Sequence, residues 1–306
     1  MQAIDLFSGA GGFSTGATMA GVQVVWAANH WPLAVEYHAV NHPGAIHLCQ
    51  DLHQANWANV PGHDILLASP CCQGHSKARG KAHGNPQHDA SRSTAWAVVS
   101  AAEHHRPAAA IIENVPEFLD WELYPAWAIA MEALGYKLSP HIIDAADHGV
   151  PQHRERLFIV ATRSTAPLRL TLERREHVSA ATFIDFNAGT WSAINKPGRS
   201  PRTLARVAAG RAAHGHRFLA PYYGSGSGAT GRCLQRPIGT ITTKDRWSLI
   251  DGECMRMLTD QECRAAMGFP TNYQLPPQHH KAVHLLGNAV CPPVARDVIS
   301  ALIEQI

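Results

Sequence analysis

A doubly wound α/β fold with a mostly parallel sheet, joined to a second, smaller domain of irregular or β structure, is predicted by three features of the sequence. Through the first half, short apolar runs alternate with helical stretches, the pattern of chains that lay helices on both faces of a parallel sheet. The first of these runs ends in a glycine-rich turn and then a helix. After Arg163 the alternation stops, and Gly, Pro, Arg and polar residues dominate.

Ala3 to Phe7 reads as the first strand, Ser8-Gly9-Ala10-Gly11-Gly12 as the turn, and Phe13 to Ala20 as the helix that follows. Val22 to Ala28 gives the next strand, and Pro32 to Asn41 a helix opened by proline at a first-turn position. Further strands are expected at Ile65 to Ala68, Ala108 to Ile112, Leu138 to Ile143 and Leu157 to Ala161, with helices at Thr94 to Glu103 and Pro125 to Leu134 between them. Lys196-Pro197-Gly198 and the run from Tyr222 to Gly228 mark an irregular region with short strands. Apolar helical spacing returns at Val294, Val298 and Leu302 behind Pro292 and Pro293, giving a C-terminal helix able to pack back on the sheet. The expected division is 1–163 with 285–306 for the first domain and 164–284 for the second.

A chain of 306 residues is long enough to bury a full core without covalent staples. Seven cysteines, an odd number without a CxxC framework, and the absence of a charged-then-apolar opening segment suggest a reducing, cytoplasmic setting. Eighteen consecutive apolar residues occur nowhere, so no membrane-spanning helix is expected. Nothing implies an obligate protein partner, and a monomer is expected. The net charge of +2 hides a segregation: Arg163 to Arg246 carries 14 Lys or Arg against 4 Asp or Glu, leaving 12 against 20 elsewhere. A basic segment of this kind suits a phosphate backbone, and suits equally a solvated arginine-rich surface.

The most informative string is Pro70-Cys71-Cys72-Gln73-Gly74-His75-Ser76, followed downstream by Glu113-Asn114-Val115 and by Gln152-His153-Arg154-Glu155-Arg156. A candidate nucleophile, a carboxylic acid and a basic clamp each lie beside an apolar run, where strand ends gather at one rim of an open sheet. Burial at the close of the run from Ala108 would raise the Glu113 pKa. Arg154 and Arg156 alternate along an extended segment and so point the same way. The glycine turn lacks both the GxGxxG register and the Gly-Lys-Ser/Thr of a P-loop, which disfavours phosphate binding and a nicotinamide enzyme. S-adenosylmethionine would suit it, as would a purely structural tight turn. The pairs His104-His105 and His279-His280 lack cysteine partners at zinc spacing, and no metal is expected.

Taken in order, Asp5 to Phe13, the block at 70 to 76, Glu113-Asn114-Val115, Gln152/Arg154/Arg156, Arg256-Met257-Leu258-Thr259 through Met267-Gly268-Phe269-Pro270, and Gly287-Asn288-Ala289-Val290 resemble the motifs of the DNA (cytosine-5)-methyltransferases. The resemblance covers nearly the whole chain except about Ser164 to Arg236, where that family carries its variable target-recognition region. It implies a SAM-dependent fold and methyl transfer to C5 of a cytosine flipped out of double-stranded DNA, with S-adenosyl-L-homocysteine as product. Cytosine C5 is a poor nucleophile, so a thiolate adds first to C6 and makes C5 able to attack a sulfonium methyl. Cys72 aligns with that nucleophile, while Cys71 stands where a proline is usual. Glu113 would assist at N3, Asn114 would fix the loop carrying it, Arg156 would grip the base and Arg154 would support the site.

For the cofactor the resemblance carries over to Phe7, Gly9, Gly11, Gly12, His30, Trp31, Asp51, Leu52, Asn288 and Val290. Trp31 would stack on adenine and Asp51 would accept its amine. His30 stands where a carboxylate is usual, so it offers the ribose a hydrogen bond but no fixed negative charge, and weaker cofactor binding is expected. Lys77 to Arg92 resembles the family's mobile catalytic loop, with Gln73, Ser76, Lys77, Arg79 and Lys81 as candidate DNA contacts. A transfer-RNA methyltransferase of the same fold is the alternative, followed by an inactive DNA-binding relative. Major-groove specificity would come from side chains between about Arg199 and Asp251.

Overall fold

In the computed structural model, which describes residues 1–71, 93–222 and 231–306, the chain forms two units. The first comprises Met1–Asp144, Glu155–Glu173 and Ala289–Ile306; the second comprises Ala145–Arg154 and Arg174–Asn288. The sequence placed the divisions at 163/164 and 284/285 and kept 145–154 with the first domain. That short stretch belongs instead to the second unit, because buried Gln152 bonds there: its side-chain N–H donates to the Ala266 carbonyl and its Oε1 accepts from the Ile241 N–H.

The first unit is built on a seven-stranded sheet in the order β3-β2-β1-β4-β5-β7-β6. Its strands are β1 (Gln2–Leu6), β2 (Gln23–Asn29), β3 (Ile46–Cys49), β4 (Ile65–Ala68), β5 (Ala109–Asn114), β6 (Lys137–Asp144) and β7 (Glu155–Thr162). The first five run parallel to their neighbours, while β7 lies antiparallel between β5 and β6. The order reverses between β1 and β4, which makes the crevice beyond their carboxyl ends the natural ligand position. Complete burial of β4 and β5 follows from their unbroken apolar runs, as expected of strands covered on both faces.

Helices α1 (Gly12–Met19), α2 (Pro32–Asn41), α3 (Ala95–His105) and α4 (Tyr124–Ala133) connect the strands. On one face the core gathers Trp26, Phe118, Trp127 and Tyr136, all fully buried. The Trp127 indole N–H is satisfied by the Ala95 carbonyl and the Tyr136 hydroxyl by that of Pro107, so these large rings bury without orphaning a donor. The C-terminal helix (Pro292–Ile303) buries Val294, Val298 and Leu302, as the spacing predicted, together with Ala295 and Ile299. It rests on α1: a Cβ at Gly16 would come within 2.4 Å of the Ala295 Cβ, so the two helices approach at glycine distance.

The second unit holds a four-stranded antiparallel sheet in the order β8-β11-β10-β9, with β8 (Ser192–Ala193), β9 (Arg217–Pro221), β10 (Trp247–Asp251) and β11 (Cys254–Met257). The irregular region expected from sequence contains a 14-residue helix, α5 (Pro201–His214). Ser200 caps it through Thr203, Pro201 opens it, and its buried face of Val207 and Gly210 packs on Phe218. Helices α6 (Asp260–Ala266) and α7 (His279–Asn288) complete the unit, and the C-terminal helix of the first unit is α8. Among the described residues, no helix is long and apolar enough to cross a membrane.

Candidate active site

Parallel pairing brings the ends of β1, β4 and β5 to one rim: Leu6 faces Ala68, and Ala68 faces Ile112. Glu113 and Asn114 close β5 at that rim, and Pro70 and Cys71 follow β4 there. Arg156 stands at the start of β7, so a parallel β7 would have carried it to the opposite edge. Antiparallel pairing, with Asn114 opposite Leu157, brings Arg156 to the same rim. Its Nε lies 3.3 Å from Glu113 Oε1, with the Glu113 side chain 8% exposed and the Arg156 side chain 18% exposed. This partial burial strengthens the pair relative to a surface ion pair.

Asn114 is 1% exposed and bonds in two directions. Its Oδ1 accepts from the Val115 N–H, and its Nδ2 donates to the Pro70 carbonyl at 3.1 Å. One amide therefore ties the strand bearing Glu113 to the segment leading into Cys72. Ser69 adds a link on the other side by donating to the Phe7 carbonyl. Cys72, Gln73, Ser76, Lys77, Arg79 and Lys81, with the rest of 72–92, lie outside the described residues.

Beyond β1 the glycine turn adopts left-handed backbone at Phe7 (φ 60°), Gly9 (φ 52°) and Gly11 (φ 75°). A left-handed phenylalanine is strained, and such strain concentrates at functional loops. Gly11 begins α1 and, as a glycine, offers the N–H groups of its first turn no side-chain cap. Gly12 has a different reason to be small: a Cβ there would sit 2.0 Å from the Val290 carbonyl oxygen. Gly12 and Val290 are thus brought together by backbone against backbone. His30 is exposed just past β2, and Trp31, half-buried, begins α2 with its N–H on Asn29 Oδ1. Asp51 is exposed past β3 and caps a short 3₁₀ turn through the His53 N–H, with Leu52 buried beneath. Asn288 ends α7 in the second unit and is exposed.

Arg154 does not accompany Arg156. It is 3% exposed in the second unit, and its two terminal nitrogens donate to the carbonyls of Ile241 and Gly287 at 3.0 Å each. Arg154 lies just outside β7, so the strand alternation on which the expected common direction of the two arginines rested does not extend to it.

Under α1 lies a polar network that the sequence did not announce. Ser14 donates to buried Asp5 Oδ2 at 2.7 Å and meets His38, whose other ring nitrogen is 2.8 Å from His47. Thr15 meets His42 in the same group. Burial, and then the neighbouring imidazoles of His38 and His47, push His42 down to about 3, against a smaller opposing effect of the Gly11 backbone. Below the ordinary value of 6.5, the unfolded chain therefore takes up a proton that the folded chain refuses, and stability falls with pH toward 3. This group should contribute about 1.4 kcal/mol to the fall in unfolding free energy between pH 7.5 and 5.5, beside partly buried His47, His63, His105, His141 and His284, which are also lowered; His42→Gln should make the fall smaller by about that amount. Urea titrations at the two pH values check it, and the same slope in both proteins would contradict it. Among the described residues, no group of three or more His, Cys, Asp or Glu is arranged to hold a metal ion.

Residues 1–196 and 220–304 match the family described as C-5 cytosine-specific DNA methylase. The chain belongs to that family. Among its relatives, Type II methyltransferase M.NlaX of Neisseria lactamica is 26% identical over 96% of this chain and 94% of its own length. Type II methyltransferase M.HhaI of Haemophilus parahaemolyticus is also 26% identical, over 95% of this chain and 90% of its own. The fold is shared with the crystal structure of Spodoptera frugiperda DNMT2, at a TM-score of 0.71, 17% identity and 99% coverage of both chains. As an enzyme the protein is a DNA (cytosine-5)-methyltransferase.

In this cytosine methylase, sequence reasoning missed two side chains that bond to the rim backbone, Ser69 and Thr94. Thr94 accepts a hydrogen bond from the Cys71 N–H at 3.0 Å. A threonine ahead of an apolar helical run reads as an ordinary helix cap, so the sequence held no signal that its hydroxyl turns toward residue 71.

Proposed function

We propose that the protein transfers a methyl group from S-adenosylmethionine to C5 of a cytosine flipped out of a specific double-stranded DNA sequence, through a transient bond between Cys72 and C6. The observation that carries this reading is the Asn114–Pro70 bond, which draws the chain leading into Cys72 beside Glu113 and Arg156. Addition of the Cys72 thiolate to C6 moves electrons toward N3, where the Glu113 carboxyl would bond or protonate the ring. Arg156 orients Glu113 and would reach the base O2. Arg154 acts at a distance, by holding the backbone at 241 and 287 in the second unit.

The rim fits the cofactor. Uncapped N–H groups at the start of α1 suit the carboxylate of a methionine tail, and the half-buried Trp31 indole and exposed Asp51 carboxylate suit an adenine. Bound S-adenosylmethionine would supply an electrophilic methyl on sulfur for C5 to take. Phe7, Gly9 and Gly11 would line the tail, His30 the ribose, and Leu52 and Val290 the apolar flank. Gln73, Ser76, Lys77, Arg79 and Lys81 would meet the DNA around the extruded base. The second unit, which contains most of the basic run from Arg163 to Arg246, would read the target sequence.

Labelled methyl donor offered with duplex DNA and with transfer RNA tests the substrate. Incorporation into DNA is expected, and incorporation into transfer RNA alone would overturn the choice. An oligonucleotide carrying 5-fluorocytosine at the methylated site tests the covalent step, because fluorine at C5 blocks release and should leave protein and DNA joined. Failure to join in the presence of the methyl donor would sink the Cys72 mechanism.

A further inference from the structure

We infer that Thr94 is a positioning residue for the reaction, holding the Pro70–Cys71 peptide that immediately precedes the nucleophile. The inference rests on the reading of Cys72 as nucleophile. The peptide joining Pro70 to Cys71 has two polar groups, and each is held by a side chain: the carbonyl by Asn114 Nδ2 at 3.1 Å, the N–H by Thr94 Oγ1 at 3.0 Å. Both bonds span long sequence separations, 44 and 23 residues, so neither follows from local chain geometry. Fixing both ends of one peptide plane fixes its rotation. Residue 71, the last before the nucleophile, is thereby held in orientation.

The conformation of Thr94 supports a positioning role over a helical one. It stands at the N-cap of α3, where a threonine hydroxyl ordinarily accepts from the second or third N–H of its own helix. Here it makes no such bond, and its backbone is already right-handed helical (φ −58°, ψ −25°) rather than extended. The hydroxyl is directed to Cys71 instead. The Thr94 side chain makes no cap bond to its own helix, and the segment before the nucleophile gains a tether. Asn114 is shared with the strand that carries Glu113, so the two tethers set residue 71 against the acid on one side and α3 on the other.

Thr94→Val keeps the shape and removes the acceptor; Thr94→Ser keeps the acceptor. Misplacing a reacting group by about 1 Å can cost on the order of a hundredfold in rate, so Thr94→Val should lower kcat by roughly ten- to a hundredfold. KM for the methyl donor and for duplex DNA should stay within about twofold, and Thr94→Ser should restore most of the rate. The melting temperature of Thr94→Val should fall by no more than about 2–4 °C, the cost of one hydrogen bond of about 1 kcal/mol, because α3 loses no cap bond from Thr94. The rate of covalent joining to 5-fluorocytosine DNA should fall in step with kcat. An unimpaired Thr94→Val beside an inactive Cys72→Ser would overturn this inference alone. So would a rate loss that tracks a lower melting temperature and is not rescued by serine. An active Cys72→Ser would bring down the nucleophile assignment and this inference with it.

Discussion

Cys72→Ser should abolish methyl transfer, lowering the rate by on the order of 10⁴-fold or more, while Cys71→Ser should leave it within a few-fold of the parent. A free thiol is a few per cent thiolate at neutral pH and strongly nucleophilic, whereas a serine hydroxyl has no comparable ionised fraction and would need a dedicated base. The rim supplies a carboxyl at Glu113 already engaged with Arg156, an arrangement suited to N3 of the ring rather than to deprotonating a hydroxyl. Cys71 differs from its neighbour in what holds it. Its bond to Thr94 runs through the backbone N–H, which any non-proline residue provides, so serine keeps the tether while losing the thiol. Joining to 5-fluorocytosine DNA should follow the same pattern, present in Cys71→Ser and absent in Cys72→Ser. The reverse pattern would move the nucleophile to Cys71.

The placement of the rim residues was legible in the sequence because they lie beside long apolar runs. Glu113 and Asn114 close a fully buried strand, and Cys71 follows another, so pattern and residue type together put them at strand ends. The opposed fates of Arg154 and Arg156 were not legible. Two residues apart in an extended run, they share a face only if both belong to the strand, and β7 begins between them at Glu155. Arg154 instead serves carbonyls 87 and 133 residues away, a pairing that local pattern cannot encode. Gly12 is a comparable case. A glycine in a ligand loop and a glycine pressed on another backbone look alike in sequence, and only the Val290 carbonyl 2.0 Å from its absent Cβ separates them.

For the fold, β1, β4, β5 and β7 could be found because they are almost wholly buried, but β3 escaped. Ile46–Cys49 lies at the sheet edge with Ile46 and Leu48 exposed, so it carries no buried stripe to detect. The direction of β7 was equally hidden, since apolar content is indifferent to which way a strand runs. In the second unit, α5 was lost among arginines and alanines because its inward face needs few apolar side chains; Gly210 lets the Phe218 ring lie directly against it. The cap Ser200-Pro201 was the available signal, and the surrounding Gly and Pro residues masked it.

The largest effect on stability should come from Arg256 in the second unit. On β11 its side chain is fully buried, and its two terminal nitrogens meet the two carboxylate oxygens of Glu262 at 2.6 and 2.7 Å. The same nitrogens also donate to the carbonyls of Met257 and Asp185. Glu262 is satisfied in turn by the N–H groups of Asp185 and Thr259 and by the Thr259 hydroxyl, which closes a capping box at the start of α6. The guanidinium lies 5.1 Å from the centre of the Trp191 ring. Gly189, in a left-handed turn at φ 71°, leaves the room its aliphatic stem needs. Removing one partner strands a buried charge, which costs about 3–5 kcal/mol, far above the worth of an exposed pair. Arg256→Met and Glu262→Gln should each lose an amount of that order in urea unfolding, and the double variant should lose clearly less than the two together, since the second change relieves the charge that the first exposed. A loss under about 1 kcal/mol for Arg256→Met would mean that water reaches the pair, and that the cluster joining β11, α6 and the 185–191 turn is held by apolar packing instead.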